Sequence, residues 1–240
     1  MDSNLSTGIT QQASLGRAAF IAGLSIFVMA ATVPVVEFYI IPALIDYGDA
    51  ARTTANIREN PTLFSTAIFI HFITILCDVT ISWALYIFLK PAHKNLSLLT
   101  AAFRLVYTGF NIVALLNLVQ IISLLRTSEH FKTIAPGEVS DLVLFYLRSF
   151  NLEWRFGLVF FGVYLCLLGY LVFISKYIPR LMGIVLIITG MGYLIDDLKY
   201  FFYPHIDTGF LWFTFFGELI FMFWLLVKGS RIKTSHIRNN

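Results

Sequence analysis

Residues 158–174 read LVFFGVYLCLLGYLVFI, an apolar run without a charged side chain. Because an α-helix rises about 1.5 Å per residue, this run and its flanks are long enough to cross a hydrocarbon core of roughly 30 Å. The strands of a membrane barrel are about 10 residues long and alternate apolar with polar positions, which this run does not. The stretch therefore predicts a transmembrane helix, which we place at residues 152–174.

Five further segments of similar character lie on either side of this helix. We predict six transmembrane helices, at about residues 18–41, 63–89, 96–125, 152–174, 181–202 and 210–227. They form a domain at residues 17–229, between a polar tail at 1–16 and a basic tail at 230–240. The chain is therefore expected to be all-α, a polytopic transmembrane helical bundle.

Two of the connections have patterns of their own. The polar segment Asp46–Pro61 is long enough for a short interfacial helix. Residues 137–150 are amphipathic, and they either lie along the membrane surface or extend the fourth helix outward.

The composition of the whole chain agrees with a membrane protein. Hydrophobic residues make up 58% and charged residues 13%, against roughly 25% charged residues in soluble domains. So few charges cannot cover this much apolar surface in water. The net charge of +3 is weak and no basic stripe with interleaved aromatics appears, so we predict the lipid bilayer as a partner and no nucleic acid.

Lysine and arginine in short loops predict the orientation, since cytoplasmic loops carry an excess of both. One side holds Arg17, Lys90, Lys94, Lys176, Arg180, Lys228, Arg231, Lys233 and Arg238. The loops on the other side hold fewer basic residues, diluted by acids. We therefore predict that both termini are cytoplasmic and that the chain is a multi-pass protein of the inner cell membrane.

Three charged residues fall at one depth inside the predicted helices. Counted from the cytoplasmic ends, Asp78 lies about 18 Å, Arg104 roughly 14 Å and Glu218 about 15 Å into the membrane. An unpaired charge at that depth is costly, so we predict that Arg104 is held between the two acids. We call these residues the charge cluster. They form either a ligand or proton site, or a structural clamp that fixes helix register.

A second set of polar residues is predicted nearer the non-cytoplasmic side. Repeats of three and four residues place them on helix faces that converge on a cavity open to that side. The candidates are Glu37, His71, Asn111, Glu153, Arg155, Tyr193, Asp196 and Asp197. The alternatives are that Glu153, Arg155 and the two aspartates are simply solvated, and that His71 is a hydrogen-bonded structural histidine.

Several kinds of chemistry lack a motif in this sequence. The chain has no HExxH, GxSxG or P-loop pattern, and its histidines lie in different segments. Cys77 and Cys166 lie in apolar runs without metal-type spacing, so we predict that they are packing residues. We accordingly predict no metal and no cofactor.

The chain resembles a known family in several stretches. Residues 157–170, the segment IPRLMG at 178–183 and the segment GMGYLID at 190–196 are similar to a bacterial membrane family catalogued as domain of unknown function 4386. Shorter similarities surround Asp78, Arg104 and Glu218. The resemblance covers roughly residues 17–229 and implies a six-helix membrane protein without an assigned reaction. One departure is that Asn151–Arg155 lacks the histidine expected near the start of the fourth helix.

Three functions remain open at this point. In the first, a small solute or protons are bound or transported, with Asp78 and Glu218 exchanging protons and Arg104 acting as counter-ion or anion anchor. In the second, the protein is structural or binds a partner, and the charge cluster only holds the fold. In the third, an intramembrane enzyme acts on a lipid-like substrate with Asp196, Asp197, His71 and Glu153. We rank the enzyme last and leave the oligomeric state open, a dimer being one option.

Overall fold

The computed structural model of the chain describes residues 2–130, 135–203, 205, 207–209 and 216–232. These residues form helices, and no strand occurs among them, which confirms the all-α prediction. The helices are α1 (Asp2–Val35), a π-helical turn (Val36–Ile40), α2 (Ile41–Leu44), α3 (Ala50–Glu59), α4 (Pro61–Leu89), α5 (Lys94–His130), α6 (Pro136–Ile174), α7 (Arg180–Phe202), α8 (Phe216–Val227) and a 3-10 turn (Gly229–Arg231).

Five helical segments of the described chain are long and apolar enough to cross a bilayer. They are Leu15–Leu44, Pro61–Leu89, Lys94–Thr127, Gly137–Ile174 and Arg180–Phe202. They correspond to the first five predicted helices. Of the predicted sixth helix, residues 216–227 are helical as α8, and residues 210–215 lie outside the described residues.

Helix α6 begins well before the apolar run that predicts it. It starts at Pro136, and Pro is favoured in the first turn because its missing N–H needs no partner there. The buried residues Val139, Val143, Leu147 and Phe150 recur at three- and four-residue steps, which makes an apolar stripe along one face. The amphipathic segment at 137–150 therefore extends the fourth predicted helix, because hydropathy marks where lipid begins and not where a helix begins.

The first span changes its winding near Pro34. Proline removes a backbone donor and its ring crowds the carbonyl of the residue four positions earlier. The turn that follows, Val36–Ile40, is π-helical and carries Glu37. Toward the other end, α1 begins at Asp2, so residues assigned to a polar tail from their composition are helical.

Helix α3 occupies the polar segment in which the sequence indicates a short helix. Asp49 precedes it, and the Asp49 carboxylate accepts a hydrogen bond of 2.9 Å from the backbone N–H of Arg52. A carboxylate at this position satisfies a donor that the first helical turn leaves open. The Asn56 amide in turn donates to the carbonyl of Leu44 at 3.2 Å, which ties α3 to the end of the first span.

The chain divides into two compact units. Unit 1 comprises Met1–Val28, Cys77–Thr108 and Phe156–Asn240, and unit 2 comprises Met29–Leu76 and Gly109–Arg155.

In unit 1, glycines let α6 and α7 approach closely. A methyl group added to Gly183 would lie 2.6 Å from the carbonyl oxygen of Gly169, and one added to Gly190 would lie 2.7 Å from that of Gly162. Small residues at such steps are the usual means of close helix packing in membranes, where van der Waals contact replaces the hydrophobic effect.

Unit 2 contains an apolar core of its own. The first span contributes Val36 and Ile40, helix α4 contributes Phe64, and α6 contributes Leu147 and Phe150. Helix α5 adds a stripe at regular helical spacing, including Leu118, Ile121 and Leu125. Ile57 of the short helix α3 is also buried in this core.

Candidate functional site

The charge cluster is built on α4 and α5, which run antiparallel through unit 1. The Ser82 hydroxyl donates to the carbonyl of Ala101 at 2.9 Å, and the Ser97 hydroxyl donates to the carbonyl of Tyr86 at 3.0 Å. Residue numbers fall along α4 as they rise along α5, as expected for antiparallel helices. These two bonds therefore fix the register between α4 and α5. Asp78 and Arg104 face each other in that register.

The Arg104 guanidinium makes four hydrogen bonds. Its Nε and Nη2 donate to Asp78 Oδ1 at 3.1 Å and 2.7 Å. Its Nη1 donates to Glu218 Oε1 at 3.3 Å and to the Tyr164 hydroxyl at 2.7 Å. The side chains of Asp78 and Arg104 are fully buried, and that of Glu218 is 19% exposed. The contact that the sequence predicts among these three residues is therefore present.

Two aromatic residues of α6 complete the surroundings of Arg104 and were missed from the sequence. The guanidinium carbon lies 4.8 Å from the centre of the Tyr164 ring and 5.5 Å from that of Phe161, within the range of cation–π attraction. The available signal was the depth of Tyr164, which lies mid-span and not at the interface, where tyrosine is usually enriched. A buried tyrosine needs a partner for its hydroxyl.

The formal charges of the cluster do not cancel. Arg104 contributes one positive charge, and Asp78 and Glu218 contribute two negative charges when both are ionised. Removing charges from water is expensive and is offset only by close pairing with further hydrogen bonds. The cluster is neutral only when one carboxyl group carries a proton.

A narrow pocket adjoins the Tyr164 side of unit 1. Its lining includes Ser82, Ser97, Thr100 and Tyr164. It has room for one water molecule at most. A solute larger than water therefore does not fit in this pocket.

Three of the predicted outer residues lie on α7 in unit 1. Asp197 is buried, with 2% of its surface exposed. Asp196 accepts a hydrogen bond from the Thr208 hydroxyl and lies 3.6 Å from Lys199 Nζ. The Tyr193 ring packs edge-on against Phe161, with 5.2 Å between ring centres. The edge contact with Phe161 links Tyr193 to the ring that faces Arg104.

The other five predicted outer residues lie in unit 2. Glu153 accepts a hydrogen bond of 2.6 Å from the Asn117 amide, and Arg155 is half-buried. Glu37 is half-buried on the π-helical turn. His71 and Asn111 are each 8% exposed. The cavity into which the predicted outer residues converge stays a prediction.

Tyr47 and Asn151 form a further contact in unit 2 that the sequence does not indicate. The Asn151 amide donates to the Tyr47 hydroxyl at 2.6 Å, and Arg148 donates to the Tyr47 carbonyl at 3.4 Å. Burial raises the pKa of Tyr47 above its usual 10.0, the hydrogen bond from Asn151 opposes that rise, and the Glu37 carboxylate adds to it. Tyr47 therefore lies within electrostatic range of Glu37.

The two cysteines and the potential metal ligands are considered together. Cys77 and Cys166 are free, half-buried thiols. In the part of the chain that the structure describes, no three His, Cys, Asp or Glu side chains gather as they would around a metal ion.

Comparison with known proteins gives a family. The chain matches the family described as Domain of unknown function (DUF4386) over residues 21–229. An uncharacterized protein of Archaeoglobus fulgidus is 36% identical over 172 residues, which cover 72% of this chain and 88% of the relative. No solved structure matches. This relative is archaeal, so proteins similar to this chain are not confined to bacteria. By the extent of the match and by this identity, the chain belongs to the DUF4386 family.

Proposed function

We propose that this membrane protein binds or transports a small solute in a proton-linked manner, with the charge cluster as its proton-exchange site. The observation that carries the proposal is the sharing of one buried guanidinium by two carboxylates on different helices. Ionisable residues inside membrane spans commonly mark ion or proton pathways. The cluster changes between a net charge of zero and minus one when a single proton binds.

Glu218 is the group that exchanges the proton. Asp78 is fully buried and its Oδ1 accepts two guanidinium N–H groups, the shorter at 2.7 Å. Glu218 has one contact with Arg104, at 3.3 Å, and part of its surface is exposed. Glu218 therefore gives up a weaker contact with Arg104 than Asp78 would, while Arg104 stays paired with Asp78.

Infrared difference spectroscopy tests the proton exchange directly. Protein in lipid nanodiscs is titrated between acid and alkaline pH, and the carbonyl stretch of a protonated carboxyl group is followed. We expect a titrating band that disappears in Glu218→Gln and persists in Glu153→Gln, which alters a carboxylate bonded to Asn117 in unit 2. A spectrum that is unchanged by Glu218→Gln would remove Glu218 from the proposal.

Vesicles test the link to a solute. Liposomes that hold the protein and an internal pH dye are exposed in turn to methylammonium, acetate, lactate and glycine. We expect at least one of these probes to change the internal pH faster with the wild-type protein than with Glu218→Gln or in protein-free liposomes, which report the passage of neutral methylamine and acetic acid through lipid. If no probe does so while the infrared band titrates, proton exchange stands and transport of these solute classes does not.

A structural role of the charge cluster is the second candidate. It is favoured by the four hydrogen bonds of Arg104 and by the water-sized pocket beside Tyr164. In that case Asp78, Arg104 and Glu218 hold the helices in register and exchange no proton. The same infrared titration separates the two roles, since a clamp gives no carboxyl band that depends on Glu218.

We also propose the orientation and membrane. The chain lies in the inner cell membrane with both termini in the cytoplasm, as the distribution of Lys and Arg in its loops supports. A fluorescent protein fused after Asn240 should fluoresce, and a phosphatase that is active only outside the cytoplasm should be inactive at the same site. The opposite pattern would reverse the orientation.

A further inference from the structure

Three polar side chains follow one another along a single face of α7 in unit 1. Thr189, Tyr193 and Asp197 are spaced by four residues, so each lies about one turn beyond the last. Thr189 and Asp197 are buried, with 1% and 2% of their surfaces exposed. Counted from Arg180, Tyr193 lies roughly 20 Å and Asp197 about 26 Å along the helix. This face therefore runs from the middle of the span toward the end of α7 at Phe202.

The polar face of α7 begins beside Glu218. A methyl group added to Gly217, the residue before Glu218, would collide with the Thr189 hydroxyl, so α7 and α8 touch at this level. Tyr193 is one turn further along, and the Glu218 carboxylate acts electrostatically on its hydroxyl group. Asp197 acts on the same hydroxyl from the next turn. In depth, the Tyr193 hydroxyl therefore lies between two carboxylates on different helices.

Aromatic packing holds Tyr193 in this position. The rings of Tyr107 and Tyr193 both pack against Phe161, with 4.7 Å and 5.2 Å between ring centres. Tyr107 also acts electrostatically on the Tyr193 hydroxyl. Phe161 in turn lies 5.5 Å from the guanidinium carbon of Arg104. The packing thus connects Tyr193 to the charge cluster and restricts where its hydroxyl group can be.

A phenol hydroxyl both donates and accepts hydrogen bonds, so it can accept a proton on one side as it donates its own on the other. We infer that Tyr193 and Asp197 form the route by which the proton of Glu218 moves toward the end of α7 at Phe202. The Glu218 carboxyl group gives its proton to the Tyr193 hydroxyl, whose own proton passes to the Asp197 carboxylate. Glu218 ends as a carboxylate, Asp197 as a carboxylic acid, and Tyr193 is unchanged. This inference rests on the proposed proton exchange and names its path.

The end of the route lies where the chain leaves the span. Asp197 is five residues before Phe202, the last residue of α7, and His205 and Asp207 beyond the helix are exposed. These groups can exchange a proton with water.

The carboxylate next to Asp197 has different neighbours. Asp196 accepts a hydrogen bond from Thr208 and lies 3.6 Å from Lys199 Nζ, whereas Asp197 acts on Tyr193. Two adjacent carboxylates of α7 therefore differ in whether they meet the proposed route, which supplies a matched control.

Time-resolved infrared spectroscopy tests the route. A laser flash releases protons from a caged acid around nanodiscs that hold the full chain, and the rise of the protonated Glu218 band is followed. Asp197→Asn removes the carboxylate at constant size, and Tyr193→Phe removes only the hydroxyl group. Each should slow the rise by about tenfold or more, because a positioned proton-transfer group commonly contributes at least such a factor. The final amplitude of the band should be kept, which a general disturbance of the fold would not allow.

Asp196→Asn removes the same charge one residue earlier, and its rate should stay close to that of the wild-type protein. The amide band of the same spectra reports the helices of each variant. If Asp197→Asn unfolds, Tyr193→Phe, which keeps the ring against Phe161, decides the question.

The outcomes separate this route from the proposed function. An unchanged rate in a folded Tyr193→Phe or Asp197→Asn variant, or equal slowing by Asp196→Asn, would overturn the route while the titrating Glu218 band still supported proton exchange. A wild-type spectrum without a titrating band that depends on Glu218 would remove the proposed exchange and the route together.

Discussion

Two buried polar side chains, one in each unit, differ in how their polar atoms are satisfied. In unit 1, Arg104 is fully buried and uses four hydrogen bonds, to Asp78, Glu218 and Tyr164. Two helical turns along α4, in unit 2, His71 is buried with aromatic neighbours and no hydrogen bond among the described residues. A buried charge must be paired, whereas a neutral polar atom can be left without a partner at a smaller cost.

The largest effect that tests this comparison is the loss of the guanidinium. Arg104→Met leaves Asp78 and Glu218 buried together without their counter-ion. We expect the free energy of unfolding to fall by about 3–5 kcal/mol, as when one partner of a buried ion pair is removed. The free energy of unfolding is measured in mixed micelles by raising the fraction of a denaturing detergent.

A triple variant is the control for that experiment. Arg104→Met combined with Asp78→Asn and Glu218→Gln removes all the charges of the cluster, so most of the lost stability should return. If Arg104→Met alone were as stable as the wild-type protein, pairing would not be what holds unit 1 together at this depth.

Glycine positions give the next largest effect, of opposite sign in the two units. In unit 1, Gly183→Ala places a methyl group against the backbone of Gly169, and we expect a loss of about 1–3 kcal/mol from overpacking. In unit 2, a methyl group added to Gly109 of α5 meets nothing within 4 Å. Gly109→Ala should therefore stabilise by about 0.5–1 kcal/mol through helix propensity. The same unfolding measurement compares them, and a Gly183→Ala variant as stable as the wild-type protein would contradict the close packing of α6 on α7.

Two asparagines of α5 sharpen the comparison within unit 2. Asn117→Leu removes the donor to Glu153 and should cost about 1–2 kcal/mol, because a half-buried carboxylate loses a hydrogen bond. Asn111→Leu removes an unsatisfied oxygen and should be neutral or stabilising. Thermal unfolding of both variants checks this, and a larger loss for Asn111→Leu would mean that its oxygen is satisfied in the wild-type protein.

The smallest effect concerns Tyr177, between α6 and α7 in unit 1. Its hydroxyl donates to the carbonyl of Phe88 at 2.7 Å, and burial raises its pKa above the usual 10.0. Above about pH 10 the unfolded chain loses the Tyr177 proton while the folded chain keeps it. The free energy of unfolding therefore falls as the pH rises. Tyr177→Phe should cost about 1 kcal/mol at neutral pH and should weaken the alkaline loss. An alkaline profile unchanged by the substitution would contradict a buried, protonated Tyr177.

The charge cluster was accessible from the sequence because a helix has a constant rise. Counting residues from the cytoplasmic ends places Asp78, Arg104 and Glu218 at one depth, and the cost of isolated charges in lipid then requires that they meet. Tyr164 was not found, because tyrosine occurs both at membrane interfaces and in buried cores. The identity of a neutral partner leaves no comparable energetic signature in a sequence.

The ends of the helices were predicted less well than the positions of the first five spans. The first five spans follow from hydropathy, but α6 begins at Pro136 because its early turns bury Val139, Val143 and Leu147 while exposing polar residues. Pro34 indicates a disturbance in the first span, yet the sequence does not say that the disturbance takes the form of a π-helical turn. That choice depends on the packing of Val36 and Ile40 in unit 2.

The wide turn at Val36–Ile40 has a consequence for how the first span can evolve. It is equivalent to one residue inserted into an ordinary helix, and each residue of such a helix adds about 100° of rotation. Deleting Tyr39, which is exposed, should let the backbone relax to regular winding without turning the faces on either side of it. The carboxylate at position 37 would then change its position relative to the neighbouring helices while every span kept its partners, so a one-codon deletion would separate the placement of this carboxylate from folding.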